Sequence, residues 1–188
     1  MKMNLKNISK KGTVCSVLRM GNPDLLKTST EVDAESVDAM NIIYDMAATI
    51  ESIGEIAGLA ANQIGYRKRV IFYQVVASRA DEFNPKGVVS SFLINPYYKP
   101  VGKEKITSWE ACLSTPGIAA EVERYATIHL TATGWNGEKF YSVDRLAHGY
   151  EARVLQHEID HLDGIVYVLK RKTPQGIAYI EEAKEFHM

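Results

Sequence analysis

The sequence predicts an α+β fold in which mostly antiparallel strands surround a central metal-binding helix. Stretches rich in β-branched and aromatic residues recur between residues 69 and 143 with turn residues between them, which is typical of strands. Near the C-terminal end, the two histidines of His157-Glu158-Ile159-Asp160-His161 are four positions apart and would share one face of a helix. This H-E-x-x-H pattern predicts that both imidazoles bind one metal ion, with the glutamate beside them as a proton acceptor.

The whole chain has the length and composition of one globular domain, residues 1–188. It is 46% hydrophobic and 24% charged, which is ordinary for a domain with one core. The net charge of −1 favours neither a nucleic acid nor a membrane as a direct partner. No apolar run is long enough to span a membrane or to resemble a secretory signal. Two cysteines, Cys15 and Cys112, make no disulfide framework, so a reducing, cytoplasmic setting is expected.

The first third of the chain predicts a flexible start, one amphipathic helix and a tight apolar segment. Residues 1–13 are expected to be flexible. Apolar residues recur every three or four positions between Asp33, a suitable N-cap, and Gly54, a suitable helix stop. Small residues then dominate from Ile56 to Gly65, which lets the backbone approach another group closely. Gln63 lies in this apolar run, and if buried it needs a hydrogen-bond partner.

The middle of the chain predicts strands joined by short turns. Strands are expected at Arg69–Val76, Phe92–Pro96, Tyr125–Thr133 and Lys139–Val143. The second of these should end at its proline, which cannot donate a backbone hydrogen bond. Turn residues follow the first strand at Asn84-Pro85-Lys86-Gly87, and Trp135-Asn136-Gly137-Glu138 predicts a hairpin between the last two strands.

The C-terminal part predicts two helices with a strand between them. The motif helix should begin at Asp144 or at the His148-Gly149 turn and run through His161. A short strand is expected at Ile165–Leu169, and a final helix within residues 174–188.

A metal ion bound by two histidines needs a third protein ligand. The residues alone leave two candidates for that ligand open. A histidine three residues after Gly164, as metzincins have, is excluded because Tyr167 stands there. Glu181 or Glu182 on the final helix would complete the site of a thermolysin-like zinc endopeptidase. Cys112 would supply a thiolate, which suits zinc or ferrous iron and leaves the fourth position open for water.

Three stretches occur together in the order and spacing of one enzyme family. They are Gly58-Leu59-Ala60-Ala61-Asn62-Gln63, Glu110-Ala111-Cys112-Leu113-Ser114 and His157-Glu158-Ile159-Asp160-His161. The chain closely resembles the peptide deformylases from about Val17 to about Leu169. Glu123-Arg124-Tyr125 and Ala152-Arg153-Val154-Leu155-Gln156 look most like the branch that includes organellar deformylases, a likeness that does not place this protein in an organelle.

The resemblance implies a metal-dependent hydrolase that removes the formyl group from N-formylmethionine of nascent polypeptides. Three matched residues would hold one divalent metal ion: Cys112, His157 and His161. Fe2+ is expected in vivo, with Zn2+, Ni2+ or Co2+ as alternatives. Glu158 would act as general base when a metal-activated water attacks the formyl carbon, and then as general acid. The Gln63 side-chain amide and the Leu113 backbone N–H would stabilise the developing oxyanion.

The resemblance also implies where an N-formylmethionyl peptide binds. It would lie extended along Ala57-Gly58-Leu59 and pair its backbone there like an added strand. The residues expected to line the methionine pocket are Ala57, Tyr150, Val154, Leu155 and the ring of His157. The ribosome exit region is a further expected partner, because nascent chains emerge there.

Ile56 and Ala111 stand where the family usually has glycine. Ile56 would reshape the edge where the peptide enters, and Ala111 would cost about 1 kcal/mol if its φ is positive. Asp160 is expected either to support the metal site or to be a surface carboxylate. The head group of Arg153 is expected to point outward. Besides the endopeptidase, a non-catalytic family member that binds formylated peptides remains the alternative.

Overall fold

The structure, a computed structural model, describes residues 5–83 and 89–187. Its α-helices are α1 (Leu5–Ser9), α2 (Val37–Ile53), α3 (Gly149–Leu162) and α4 (Ile180–Phe186). Its strands are β1 (Gly58–Ala60), β2 (Val70–Val75), β3 (Val89–Pro100), β4 (Lys105–Ala111), β5 (Ile118–Tyr125), β6 (Thr127–Trp135), β7 (Phe140–His148) and β8 (Ile177–Tyr179). The predicted turn at Asn84-Pro85-Lys86-Gly87 lies outside the described residues.

Two antiparallel sheets carry the fold. The larger has the strand order β1-β2-β3-β6-β7, and the smaller has the order β4-β5-β8. β6 and β7 form the predicted hairpin, with Trp135 opposite Phe140 across the turn. β1 pairs with β2 alone, so its second edge belongs to no sheet ladder of the described residues. Helices and antiparallel sheets together confirm the predicted α+β class.

The larger sheet is covered on both faces by helices. Successive side chains of a strand point to opposite faces, so Phe72 of β2 packs in the cluster that contains α2, while Ile71 packs in the cluster that contains α3. α2 contributes Ile43 and Met46, both with no exposed surface. Because β2 is buried on both faces, its sequence is a continuous apolar run and does not alternate. The metal-motif helix therefore lies against a rigid sheet, which positions its histidines.

The first long helix begins three residues later than predicted. Ser36, and not Asp33, is the N-cap, and its hydroxyl accepts a hydrogen bond from the Ala39 N–H at 3.2 Å. The Ser36 hydroxyl also donates to the Asp33 carbonyl at 2.6 Å, so Asp33 supports the turn that precedes the helix. The predicted stop at Gly54 is confirmed, with φ at 102°.

The prediction that Pro96 ends a strand is wrong, because β3 continues to Pro100. Its register to β6 shifts between Ile94 and Tyr97, which places the proline at an irregularity where no ladder donor is needed. Asn95 has a positive φ of 50° there. Its side chain stabilises the turn by accepting from the Val32 N–H at 3.1 Å and donating to the Val32 carbonyl at 2.8 Å.

The two ends of the chain are more structured than the sequence indicated. α1 lies within the stretch expected to be flexible, and its Ile8 is buried against the α2 cluster. The predicted strand at Ile165–Leu169 is wrong, since Tyr167–Lys170 forms a 3-10 helix. α4 begins only at Ile180, after β8. Within residues 5–83 and 89–187, no helix is long and apolar enough to cross a membrane.

Candidate active site

Cys112, His157 and His161 converge where the loop after β4 meets α3. Their ligand atoms all lie within 4.8 Å of one another, and Cys112 Sγ is 3.2 Å from His161 Nε2. The histidines are one helical turn apart, and their ring centroids are separated by 5.1 Å. His161 has no exposed surface, and the Asn62 side chain donates to its backbone carbonyl at 2.5 Å. The fold therefore brings together three residues that are up to 49 positions apart.

This arrangement fits a divalent metal ion. Burial alone would raise the pKa of the Cys112 thiol, but His161 and His157 hold that pKa well below its usual value. A thiolate and two imidazoles suit zinc or ferrous iron and leave a tetrahedral position open. A buried carboxylate oxygen, Glu158 Oε2, has no hydrogen-bond partner in the described part of the chain. Such an oxygen needs a polar partner, which a group bound at the site would supply.

Glu110 orients His157 from behind. Its Oε2 lies 2.9 Å from His157 Nδ1, and a carboxylate accepts, so the proton belongs on Nδ1 and Nε2 is left to face the site. Arg124 binds both oxygens of Glu110 at 2.9 Å, in a two-pronged ion pair. Burial would raise the pKa of Glu110, but the hydrogen bonds from Arg124 and His157 hold it well below its usual range. Glu110 therefore stays ionised and keeps the imidazole in one orientation.

Arg124, like Glu110, is a functional-site residue to which the sequence analysis gave no role. It is 2% exposed and joins Glu110 to Asp160, so one guanidinium connects the loop of Cys112 with the helix of the histidines. Lys170 donates to both carboxylate oxygens of Asp160 at 3.0 Å. Of the two expectations for Asp160, support of the site matches its burial, since it is 3% exposed. The sequence did contain a signal for a cation. Glu110 and Asp160 lie inside two of the motifs, and a buried carboxylate requires a positively charged partner.

Arg124→Met should lower the free energy of unfolding by about 1.5–3 kcal/mol, because Glu110 and Asp160 lose their shared cation but keep Arg153 and Lys170. Urea denaturation of the metal-free protein measures this. Lys105→Met is the matched control, since its ion pair with Glu123 is exposed and should change stability little. Equal effects of the two substitutions would contradict the assigned role of Arg124.

Glu158 lies beside the ligands in a nearly dry position. It is 4% exposed, and burial, the largest cause, raises its pKa to about 7. Gly58 of β1 packs directly against it. A Cβ on Gly58 would lie 2.6 Å from Glu158 Cδ, closer than real contacts allow. The absence of a side chain at Gly58 therefore leaves room for the Glu158 carboxylate beside the edge of β1 that does not pair with β2.

Gln63 turns its amide nitrogen toward the metal ligands. Its Oε1 accepts from the Ala60 N–H at 2.8 Å, which fixes the side-chain orientation. Its Nε2 donates to Ser114 Oγ at 3.0 Å and to Cys112 Sγ at 3.3 Å. The buried glutamine thus has the partners its polarity required, and it holds a donor within reach of the site.

A cleft of about 1230 Å³ opens over these residues. The predicted substrate residues that line it are Ala57, Gly58, Leu113, Tyr150, Val154 and His157. Leu59 and Leu155 do not line it, because their side chains belong to the two core clusters and have no exposed surface. Leu59 is therefore held in the ladder between β1 and β2 and does not line the cleft, and the prediction that Leu155 lines the pocket is not met.

The head group of Arg153 does not point outward, contrary to prediction. It donates to Glu110 at 2.7 Å and to the carbonyls of Ile106 at 2.6 Å and Val122 at 3.1 Å. Arg153 thus ties α3 to the smaller sheet. Ala111 carries no backbone strain, because Asn95 is the one non-glycine residue with positive φ in the described ranges. Ile56 lines the cleft, as expected for an entry position.

The competing third ligands, Glu181 and Glu182, lie elsewhere. Both are exposed on α4, and neither belongs to the metal-binding group found among the described residues. Cys112 takes that position instead. Of the candidates that the residues left open, the structure therefore places the thiol of Cys112, and not the two carboxylates, beside the histidines.

Comparison with known proteins finds one family along most of the chain. The polypeptide deformylase family model matches residues 14–175. Peptide deformylase 1 of Prochlorococcus marinus is 37% identical over 155 residues, which cover 82% of this chain and 79% of the relative. Peptide deformylase of Leptospira biflexa is 35% identical over 175 residues, which cover 90% and 94%.

The fold also matches a solved structure. The class I type b peptide deformylase of Acinetobacter baumannii, bound to Met-Ala-Ser, superposes with a TM-score of 0.70 at 29% identity. The match covers 85% of this chain and 99% of that one. The family model matches most of the residues, and both relatives match most of the length of the chain. The chain therefore belongs to the peptide deformylase family.

Proposed function

We propose that this chain removes the formyl group from N-formylmethionine of nascent polypeptides, with Cys112, His157 and His161 as metal ligands and Glu158 as the proton carrier. The observation that carries the proposal is the arrangement of Glu158, the three candidate ligands and strand β1. A buried carboxylate with an unpaired oxygen stands beside three convergent ligands and opposite the open edge of β1. Amide hydrolysis needs an activated water, a proton shuttle and a place for an extended chain. The three ligands would hold the ion that activates water, Glu158 would carry the proton, and β1 would pair with the chain.

The metal is proposed to be ferrous iron, with zinc, nickel or cobalt able to replace it. A divalent ion held by these ligands supplies Lewis acidity, which acidifies water and polarises the formyl carbonyl. The thiolate suits iron and zinc alike, so the preference for iron rests on the family resemblance. Glu110 and Arg124 fix His157 for this purpose, as supports of metal ligands commonly do.

Glu158 moves the proton. Its carboxylate accepts a proton from the attacking water and then donates it to the amine nitrogen that leaves the formyl carbon. The products are formate and a free methionine amino group, so atoms balance. A pKa raised toward 7 by burial suits a group that must first accept and then donate near neutral pH.

Gln63 and Leu113 are proposed to bind the formyl oxygen as negative charge develops on it. Gln63 is already oriented, since the Ala60 N–H fixes its Oε1 and leaves Nε2 facing the site. Donors fixed before reaction need no reorganisation in the transition state.

Gln63→Leu should lower kcat by about 100-fold or more, because a preoriented donor to the oxyanion is lost. Steady-state release of formate measures this. Ser114→Ala is the matched control, since it removes one acceptor of Gln63 and leaves the amide donor in place. An equal loss in both variants would show that packing, and not the donor, matters.

The peptide is proposed to add to β1. Because hydrogen bonds alternate along a strand, the backbone groups of Gly58 point away from β2 and toward the cleft. Pairing through the backbone does not depend on the side chains of the substrate, so peptides of many sequences can bind. The apolar wall formed by Ala57, Tyr150 and Val154 suits a methionine side chain. The proposed setting is the cytoplasm, near the ribosome exit region, where formylated chains emerge.

The test is anaerobic purification with iron, metal analysis, and formate release from formyl-Met-Ala-Ser. About one metal per chain and release of formate are expected. Cleavage of internal peptide bonds would instead support a zinc endopeptidase. Peptide binding without formate would support a non-catalytic family member, with Ile56 and Ala111 as the residues to revert to glycine.

A further inference from the structure

The C-terminal segment, Ile177 to His187, forms one wall of the cleft. β8 pairs with β5 so that Tyr179 lies opposite Ile118, and the Ile180 N–H donates to the Gly117 carbonyl at 3.0 Å. Ala183 has no exposed surface, which anchors α4. The family model ends at residue 175, so this wall lies outside the matched region. Ile180 and Lys184 nevertheless line the same cleft as the metal ligands.

More positively charged than negatively charged side chains line the cleft. Its carboxylates are Glu110 and Glu158, and Glu110 is neutralised by Arg124 and Arg153. Three cations remain, and the guanidinium of one of them, Arg79, lies 5.5 Å from the ring of Tyr150. The others are Arg19 and Lys184, and neither makes an ion pair or a hydrogen bond through its side chain within the described residues. The acidic residues of α4, Glu181, Glu182 and Glu185, do not line the cleft.

Arg19 and Lys184 belong to segments fixed to the same loop, which carries Cys112. The Met20 N–H donates to the Ser114 carbonyl and the Leu18 N–H to the Gln63 carbonyl, both at 2.7 Å, so the backbone on either side of Arg19 is held beside the site. Lys184 is held through the contact of Ile180 with Gly117, at the other end of that loop. Both side chains are exposed cations beside an apolar cleft, where they attract a carboxylate.

We propose that Arg19 and Lys184 make this enzyme prefer substrates that carry a carboxylate shortly after the formylmethionine. The inference rests on the proposed deformylase function and adds a substrate class to it. In a nascent chain the carboxylate is an acidic side chain. In a short peptide it is also the C-terminal carboxylate, which has the same chemistry. For exposed cations, each contact should change kcat/KM by about two- to fivefold.

The test compares formyl-Met-Ala-Glu-amide with formyl-Met-Ala-Gln-amide, which differ by one charge. The metal-loaded protein should prefer the glutamate peptide by about fivefold at low ionic strength. Lys184→Gln should reduce this ratio, and Arg19→Gln with Lys184→Gln should reduce it further, with Arg79 as the one remaining cation of the three. Added salt should also reduce the ratio, because exposed charges are screened. A second pair, formyl-Met-Ala-Ser as free acid and as amide, reports on the terminal carboxylate separately.

Lys103→Gln is the matched control, because it removes one exposed positive charge away from the cleft and should leave the ratio unchanged. A wild-type ratio near one, or an unchanged ratio in the double variant, would overturn the inference while formate release still supports the proposed function. If no peptide yields formate, the proposed function fails. Calorimetric binding of Met-Ala-Glu-amide against Met-Ala-Gln-amide then decides the charge preference without turnover.

Discussion

Cys112→Ala should purify with far less than one metal ion per chain and should release no measurable formate. Removing the thiolate leaves two imidazoles and no anionic ligand, while His161 Nε2 loses the sulfur 3.2 Å away. Loss of a supporting residue behind a ligand commonly weakens metal affinity about 10- to 100-fold, so loss of a ligand itself should weaken it by more. Metal content by plasma emission spectrometry after dialysis measures the effect.

The second cysteine provides a control for that variant. Cys15 lies in the loop before α2, packs at the edge of the α2 cluster and is not part of the metal-binding group. Cys15→Ala should therefore keep the metal and the activity. Full metal content in Cys112→Ala would remove the basis of the deformylase proposal and would favour a ligand from elsewhere in the chain.

Glu158→Gln should keep its metal and lower kcat by about 10²- to 10⁴-fold, the usual contribution of a positioned proton carrier. The amide preserves the size of the side chain, so the contact with Gly58 and the position of α3 should survive. KM should change little, because Glu158 is proposed to act on the reacting water and not on the bound peptide. Metal analysis and formate release, on the same preparation, separate the two effects.

Glu182→Gln is the matched carboxylate-to-amide control, on the exposed face of α4. It should leave both metal content and kcat unchanged. Loss of metal from Glu182→Gln would point to the endopeptidase alternative instead, because there a carboxylate of α4 is the third ligand. Loss of metal from Glu158→Gln would mean that Glu158 is a ligand, which contradicts its proposed role.

Local patterns predicted the parts of the fold that depend on near neighbours. The helix that ends at Gly54, the hairpin between β6 and β7, and the helix through His157 and His161 all follow from spacing and turn chemistry. Predictions failed where contacts between residues far apart in the sequence determine the local secondary structure. The Asn95 side chain, bound to Val32, accompanies an irregularity that lets β3 continue past Pro96. Burial of Tyr167 against Ile118 accompanies a 3-10 turn where a strand was expected.

The sequence by itself determined the family, because three motifs occur together in one order and spacing. It also determined the H-E-x-x-H pair of histidines and the glutamate beside them, because these depend on residue type at fixed spacing along one helix. The residues alone left the third ligand open between Cys112 and Glu181 or Glu182, the family resemblance implied Cys112, and neither gave Arg124 a role. Only the tertiary structure shows that Cys112 lies with the two histidines and that Arg124 joins Glu110 to Asp160, since β4, β5 and α3 come together only in the folded chain. A buried carboxylate also requires a cation without specifying which one, and that choice depends on which strands lie next to the helix.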